Sequence, residues 1–284
     1  MKISIVRKAV LPEIPHVSGV EVADGIIYLL SGDSSVLCKI KHDLTVLDSI
    51  ALPGAANLTC MGQVAINGYK HLVLLPSGRE PQPKEIGYLI KLPTNYNKKH
   101  LVWPIELTGL YRLLRSHEGV SGEEALSLQG LSFGSDKVYL FNVRSAAVLI
   151  SYDKAEFVEY IQGHAEGTPF PSVLPVQEGL STFSEADFFD NQLWFVQQKT
   201  SSAVFTNEAG ILEILRESNG RYIEEKARVL MQTTVDDGGQ PYPAKIMAVS
   251  VYEKDKEGVY TALAIGEIAE KKTELLLLDI HTGE

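Results

Sequence analysis

The chain has 284 residues, 45% hydrophobic and 22% charged, the balance of a globular protein that can bury a sizeable core without staples. Lys and Arg number 26 against 36 Asp and Glu, a net charge of -10. No Lys/Arg-dense run breaks this acidity, which argues against a nucleic-acid partner, because phosphate affinity needs clustered cations.

The N-terminal segment, residues 2–10, alternates as a strand does. Its apolar run is too short for a signal h-region, and no stretch approaches a membrane span. The expectation is a soluble, cytoplasmic protein with no membrane partner; a chain whose export signal had been cleaved would read the same. The two cysteines, Cys38 and Cys60, lack a His pair at ligand spacing and cannot make a structural zinc site. They are expected as reduced thiols, with a single disulfide as the alternative.

A repeat then runs through the chain. Five times a short apolar strand meets a tight polar turn and a second, more apolar strand. Residues 17–22 lead through Asp24-Gly25 to 26–30. Residues 63–66 lead through Asn67-Gly68 to 72–75. Residues 128–133 lead through Gly134-Ser135-Asp136 to 138–141. Residues 184–189 lead through Asp190-Asn191 to 193–196, and residues 246–252 through Lys254-Asp255 to 259–263. Gly, Asn and Asp accept positive φ at little cost, so most of these turns carry hairpin chemistry. A third strand follows each pair, at 36–40, 86–92, 147–152, 210–215 and 274–279, and a fourth follows at 45–52 and 100–107.

Four-stranded units recurring about every 57 residues are the blades of a β-propeller. The last unit lacks a fourth strand, and residues 2–10 can fill that place and remove an open edge. The expected fold is all-β, a five-bladed propeller over residues 1–284 as one domain, closed by its N-terminal strand. An irregular β-sandwich is the alternative. Between the second and third units, Leu110, Leu113 and Leu114 fall at helical spacing and predict a short amphipathic helix over 108–116.

In such a fold the loops leading into the inner strands share one face with the loops after the second strands, and loops on a rigid scaffold carry function. That face predicts a ligand site from Ser18, Asp33, Arg79, Glu124, Gln129, Asn142, Arg144, Glu185, Lys199, Lys245 and Glu267, with Gln63 and His16 nearby. The hairpin turns of the opposite face are read as ordinary turns. Arg79, Arg144 and Lys199 suit an anionic group, although each can equally pair with a neighbouring carboxylate. Glu123, Glu124, Glu185 and Asp33 could supply paired carboxylates for glycoside hydrolysis or oxygens for Ca²⁺; solvated surface acids fit the same pattern. No catalytic residue and no metal ligand is assigned, and Ca²⁺ is the one cofactor considered. The sequence holds no nucleophile elbow, P-loop, dinucleotide fingerprint or His-Glu-x-x-His.

The stretch Leu110-Tyr111-Arg112-Leu113-Leu114-Arg115, then Leu126-Ser127-Leu128-Gln129-Gly130-Leu131, then Val138 to Arg144, resembles an uncharacterised bacterial β-propeller family related to phytase-like and SdiA-regulated propellers. Ser18-Gly19-Val20-Glu21, Ser31-Gly32-Asp33-Ser34-Ser35 and Gly210-Ile211-Leu212 are also similar. The resemblance implies a propeller and no established activity. Related propellers carry Asn-hydrophobic-Glu-Gly where this chain has Ser127-Leu128-Gln129-Gly130, and glutamine is neither an acid–base group nor a strong cation ligand. Three functions follow as expectations. The first is a binding or scaffold propeller for a small anionic or sugar-like molecule. The second is a hydrolase of phosphate esters or glycosides. The third is a protein-interaction platform.

Overall fold

A computed structural model describes the chain except residues 12, 13, 15, 56, 95–98, 118, 119, 121–125, 144–147, 176–182, 202, 203, 219–222, 270, 271 and 284. Strands dominate it. After β1 (Lys2–Val10), the strands β2 (Val17–Ala23), β3 (Ile26–Ser31), β4 (Val36–Ile40) and β5 (Val46–Ala51) form a four-stranded antiparallel sheet in sequence order. A second sheet contains β6 (Leu58–Ile66), β7 (Tyr69–Pro76), β8 (Ile86–Lys91) and β9 (Leu101–Glu106). A third contains β10 (Leu128–Phe133), β11 (Lys137–Asn142), β12 (Val148–Asp153) and β13 (Ser172–Pro175). The remaining strands are β14 (Phe183–Phe189), β15 (Gln192–Ser201), β16 (Val204–Ser218), β17 (Ile223–Asp236), β18 (Lys245–Lys254), β19 (Val259–Ala269) and β20 (Lys272–His281). With β1 they make one eight-stranded sheet, ordered β14-β15-β16-β17-β1-β20-β19-β18.

The all-β expectation holds, and the hairpins have the expected chemistry. Asp24-Gly25, Asn67-Gly68 and Asp190-Asn191 all take positive φ at both residues, the requirement of a turn whose twist matches its strands. The division into separate four-stranded sheets differs from expectation at one seam. β1 runs antiparallel along β20, from Lys2↔His281 to Val10↔Glu274. Its first residues also lie parallel to β17, through Ile3↔Val235 and Ser4↔Asp236, and this fuses two four-stranded groups into one sheet. Two boundaries also differ. The strand expected from residue 63 begins at Leu58, and β16 and β17 extend into a long hairpin paired out to Ser218↔Ile223.

The innermost strands β2, β6, β10, β14 and β18 contact each other in turn, and β18 contacts β2, so they close a ring. All five carry the same irregularity at their second or third residue. The register slips around Ser18, Thr59, Gln129, Ser184 and Met247. A bulge adds one residue and bends the strand where the ring needs it. Hydrophobic layers fill the space between neighbouring sheets, and each of Val20, Met61, Leu131, Ala186 and Val249 is buried in a different one.

Among the described residues two helices sit outside the ring. Helix α1 (Thr108–Ser116) buries Leu110, Tyr111 and Leu114, and Tyr111 donates its hydroxyl to the Pro76 carbonyl. Arg115 reaches back to Glu85 at 2.6 Å and to the Gly78 carbonyl at 2.8 Å. Helix α2 (Lys154–Ile161), unforeseen in the sequence reading, is capped by Asp153, whose carboxylate accepts from the N–H groups of Ala155 and Glu156. Phe157 and Ile161, one turn apart, bury its inner face. Cys38 and Cys60 are free and buried, and burial pushes the Cys60 thiol far up. Among the described residues no helix is long and apolar enough to cross a membrane.

The β1 seam makes a direct prediction. Ile3 is buried at 1% exposure, while Val6 sits at the β1 bulge at 57%. Urea unfolding should show Ile3→Ala losing about 2–5 kcal/mol and Val6→Ala staying within about 0.5 kcal/mol of the parent. Equal losses would remove β1 from the core.

Candidate functional site

An inner strand at the axis of a ring has one edge with no neighbouring strand. Its N–H and C=O groups still need partners. Here side chains of the preceding inner strand supply them. Ser18 donates to the Leu58 carbonyl at 3.0 Å, Thr59 to the Leu128 carbonyl at 2.7 Å, and Ser132 to the Ala186 carbonyl at 2.8 Å. Carboxylates serve the N–H groups. Asp187 accepts from Val251 N at 2.7 Å and from Phe188 N at 2.7 Å. Glu21 accepts from the backbone N–H of Gln63, and Glu185 from that of Val249.

Three acids therefore meet where β14 faces β2 and β18. Glu185 is 1% exposed and Glu21 7%. Burial pushes both well above the ordinary carboxylate range, and Asp187 raises each of them further. Burial also lifts Asp187, to about 6, against the pull of its two N–H donors. Ser250 donates to Glu21 at 3.4 Å. The second oxygen of Glu185, Oε2, is buried with no hydrogen-bond partner.

Above these acids a cavity of about 690 Å³ opens between the ends of the inner strands and their hairpin turns. Glu21, Gln63, Ser132, Asp187 and Ser250 form its polar wall, and Phe133, Phe188, Phe189 and Tyr252 its aromatic part. Asp24, Lys70, His42 and Glu253 lie around it. Lys70 is held by Asp24 at 2.7 Å. Gln63 Oε1 is buried without a hydrogen-bond partner. Among the described residues no group of three or more His, Cys, Asp or Glu is placed to hold a metal ion.

The cavity lies on the hairpin-turn end of the ring, and most of the described site residues expected from sequence lie at the other end. Ser18 is buried and bonded to Leu58 and Leu30. Asn142 is fully buried and its Oδ1 receives the Ser127 N–H at 2.6 Å, which ties β11 to the start of β10. Lys245 opens β18 opposite Glu267, and Glu267 lies 3.9 Å from His16. Asp33 and Arg79 are exposed, and Gln129 is the half-buried bulge residue of β10. Glu124 and Arg144 lie outside the described residues; Lys199 is described only as part of β15. Of the described candidates in that set, Glu185 alone joins Glu21 and Asp187. Gln63 reaches the cavity because β6 starts five residues earlier than its sequence suggested. Sequence reasoning passes over Glu21 and Asp187. Their signal is a charged residue between apolar ones in an inner strand, at Val20-Glu21-Val22 and Ala186-Asp187-Phe188.

The acids set a pH dependence whose sign can be worked out. Glu21, Glu185 and Asp187 hold protons more tightly folded than unfolded. Their contribution to stability is complete below about pH 4, declines as pH rises above that, and is lost as pH passes through each folded value, near 6 for Asp187. The urea midpoint should fall as pH rises from about 4 through 6. Asp187→Asn, which still accepts the Val251 N–H, should flatten that fall. A midpoint that rises over this range, or an unchanged slope in the variant, would show the acids ionise freely.

Comparison with known proteins adds the fold and a family. The crystal structure of Myxococcus xanthus glutaminyl cyclase superposes with a TM-score of 0.55 at 9% identity, covering 99% of this chain and 100% of that one. Virginiamycin B lyase from Staphylococcus aureus gives a TM-score of 0.43 at 10% identity, with 99% of each chain covered. At such identities the likeness is one of fold, and the neighbours are β-propeller-like. No curated protein matches the sequence. A family model does, over residues 13–280, and the chain therefore belongs to the DUF6929 family, a family of unknown function.

Proposed function

We propose that this protein is a five-bladed β-propeller that binds a small molecule in the cavity at the hairpin-turn end of its channel. The blade count is supported by the closed ring of five inner strands and by the bulge they share. On this reading β14–β17 and β18–β20 with β1 are two blades joined at a seam, and residues 1–284 are one domain. One observation carries the binding site. Gln63 Oε1 is buried in the cavity wall with no partner, and unsatisfied buried acceptors are uncommon enough to call for one. Ser132, Ser250 and the aromatic side chains around it give the mixed lining typical of ligand cavities.

Thermal unfolding against a panel of amines, sugars, carboxylates, phosphates and Ca²⁺ tests the proposal. A ligand of the native state raises the midpoint by mass action, about 2.7 kcal/mol at a hundredfold excess over its Kd. A stabilising compound should lose its effect in Gln63→Ala and Tyr252→Ala and keep it in Arg79→Ala and Lys245→Ala. The reverse pattern would move the site to the opposite face, where the sequence alone places it. Turnover of a phosphate ester or glycoside, with or without Ca²⁺, would replace binding by hydrolysis.

A further inference from the structure

We infer that the cavity recognises the ammonium group of a small organic cation, held by Asp187 and Glu21 and covered by the surrounding aromatic rings. This rests on the cavity being the binding site and adds the charge of its ligand. Around the cavity four carboxylates, of Glu21, Asp24, Asp187 and Glu253, face one lysine, and Lys70 is already paired with Asp24. Burial makes Glu21 hold its proton more tightly than an ordinary carboxylate, and with Lys70 offset by Asp24 the charges of Asp187 and Glu253 still leave the field inside negative. An anionic ligand would meet repulsion there, with no arginine in the described lining to offset it.

A second observation points the same way. In the cavity wall Gln63 Oε1 is a buried acceptor with no donor. Glu185, 1% exposed, does not line the cavity but feels the charges of Glu21 and Asp187, which do, and its Oε2 also lacks a donor. On Asp187 the N–H groups of Val251 and Phe188 each take one oxygen, Oδ2 and Oδ1, and on Glu185 the N–H of Val249 is the backbone donor; each carboxylate oxygen keeps a second lone pair. The acids thus have more acceptor capacity than the strands fill. A primary ammonium brings three donors and no acceptor, the complement of that surplus. Phe133, Phe188, Phe189 and Tyr252 line the cavity, and the face of an aromatic ring attracts a cation through its quadrupole. The described side chains do not converge as metal ligands do, and a volume of about 690 Å³ suits an organic cation.

The probes are 2-phenylethylamine, its neutral counterpart 2-phenylethanol and the anion 3-phenylpropanoate, titrated calorimetrically into the intact protein at neutral pH. The amine should bind at least about tenfold more tightly than the alcohol, and the carboxylate more weakly than either. Asp187→Asn and Glu21→Gln should each cancel most of the preference for the amine, and Phe188→Ala should weaken amine binding in a protein whose acids are intact. Because the comparison of probes uses the unmodified chain, it stands even where a variant fails to fold. Alcohol or carboxylate binding as well as the amine, with sensitivity to Gln63→Ala retained, would overturn the charge assignment and leave the cavity as the site. Binding by none of the three, with no hit from the wider panel, would overturn both.

Discussion

The constraint behind this structure is the free edge of its innermost strands. Sheets set around an axis pair their outer strands with one another, but each inner strand turns an unpaired edge towards the centre. Water cannot serve every group there, so the chain provides acceptors and donors from side chains. The pattern is regular. The residue at the bulge serves the first carbonyl of the next inner strand, as Ser18 and Thr59 do. Further along, Glu21 takes the Gln63 N–H and Asp187 takes the Val251 N–H at equivalent places in their strands. The buried acids are first of all a solution to backbone hydrogen bonding.

That solution carries an electrostatic cost. A hydroxyl would satisfy a backbone group without charge, and Ser132 does so towards the Ala186 carbonyl. An N–H needs an acceptor, and a carboxylate is the strongest one a side chain offers. Burial makes each of the three hold a proton, and for Glu21 and Glu185 the charge of Asp187 adds to it, which is why those two sit well above the usual range. A cavity opening onto such a group gives the acids a partner other than the proton. Fold and site are in this sense one feature.

Much of the fold was legible because strand and turn signals are local. Asp24-Gly25 and Asn67-Gly68 need positive φ, and the apolar runs on either side name their strands. The pairing of residues 2–10 with the last strand followed from counting edges. The fusion of two units did not, because β1 meets β17 through only two residues at its start, Ile3 and Ser4. Helix α2 was hidden by its brevity, although Asp153 is a sound N-cap. The site was least legible. Loop residues draw attention as functional candidates, and here Ser18 and Asn142 turn out to fasten strands. Glu21 and Asp187 stand inside apolar strands, where the charge itself was the signal, and the loss of five residues from the start of β6 put Gln63 at the wrong end of the ring.

The repeat also shows where function departs from architecture. The residue that follows the bulge is Gly19, Cys60, Gly130 and Ala248 in four inner strands and Glu185 in the fifth. Small residues belong there because the next inner strand is close; a Cβ on Gly130 would lie 3.0 Å from the Ala186 backbone nitrogen. Four strands close the ring with a small residue at that place, and the fifth uses Glu185, which accepts the Val249 N–H. A buried glutamate with one oxygen unbonded breaks the rule of the repeat and adds a desolvation cost. Departures from local consistency of this kind concentrate at functional sites. Like the other acids Glu185 serves a backbone N–H, that of Val249, so it is the unbonded Oε2, next to two acids that line the cavity, that the architecture leaves unexplained.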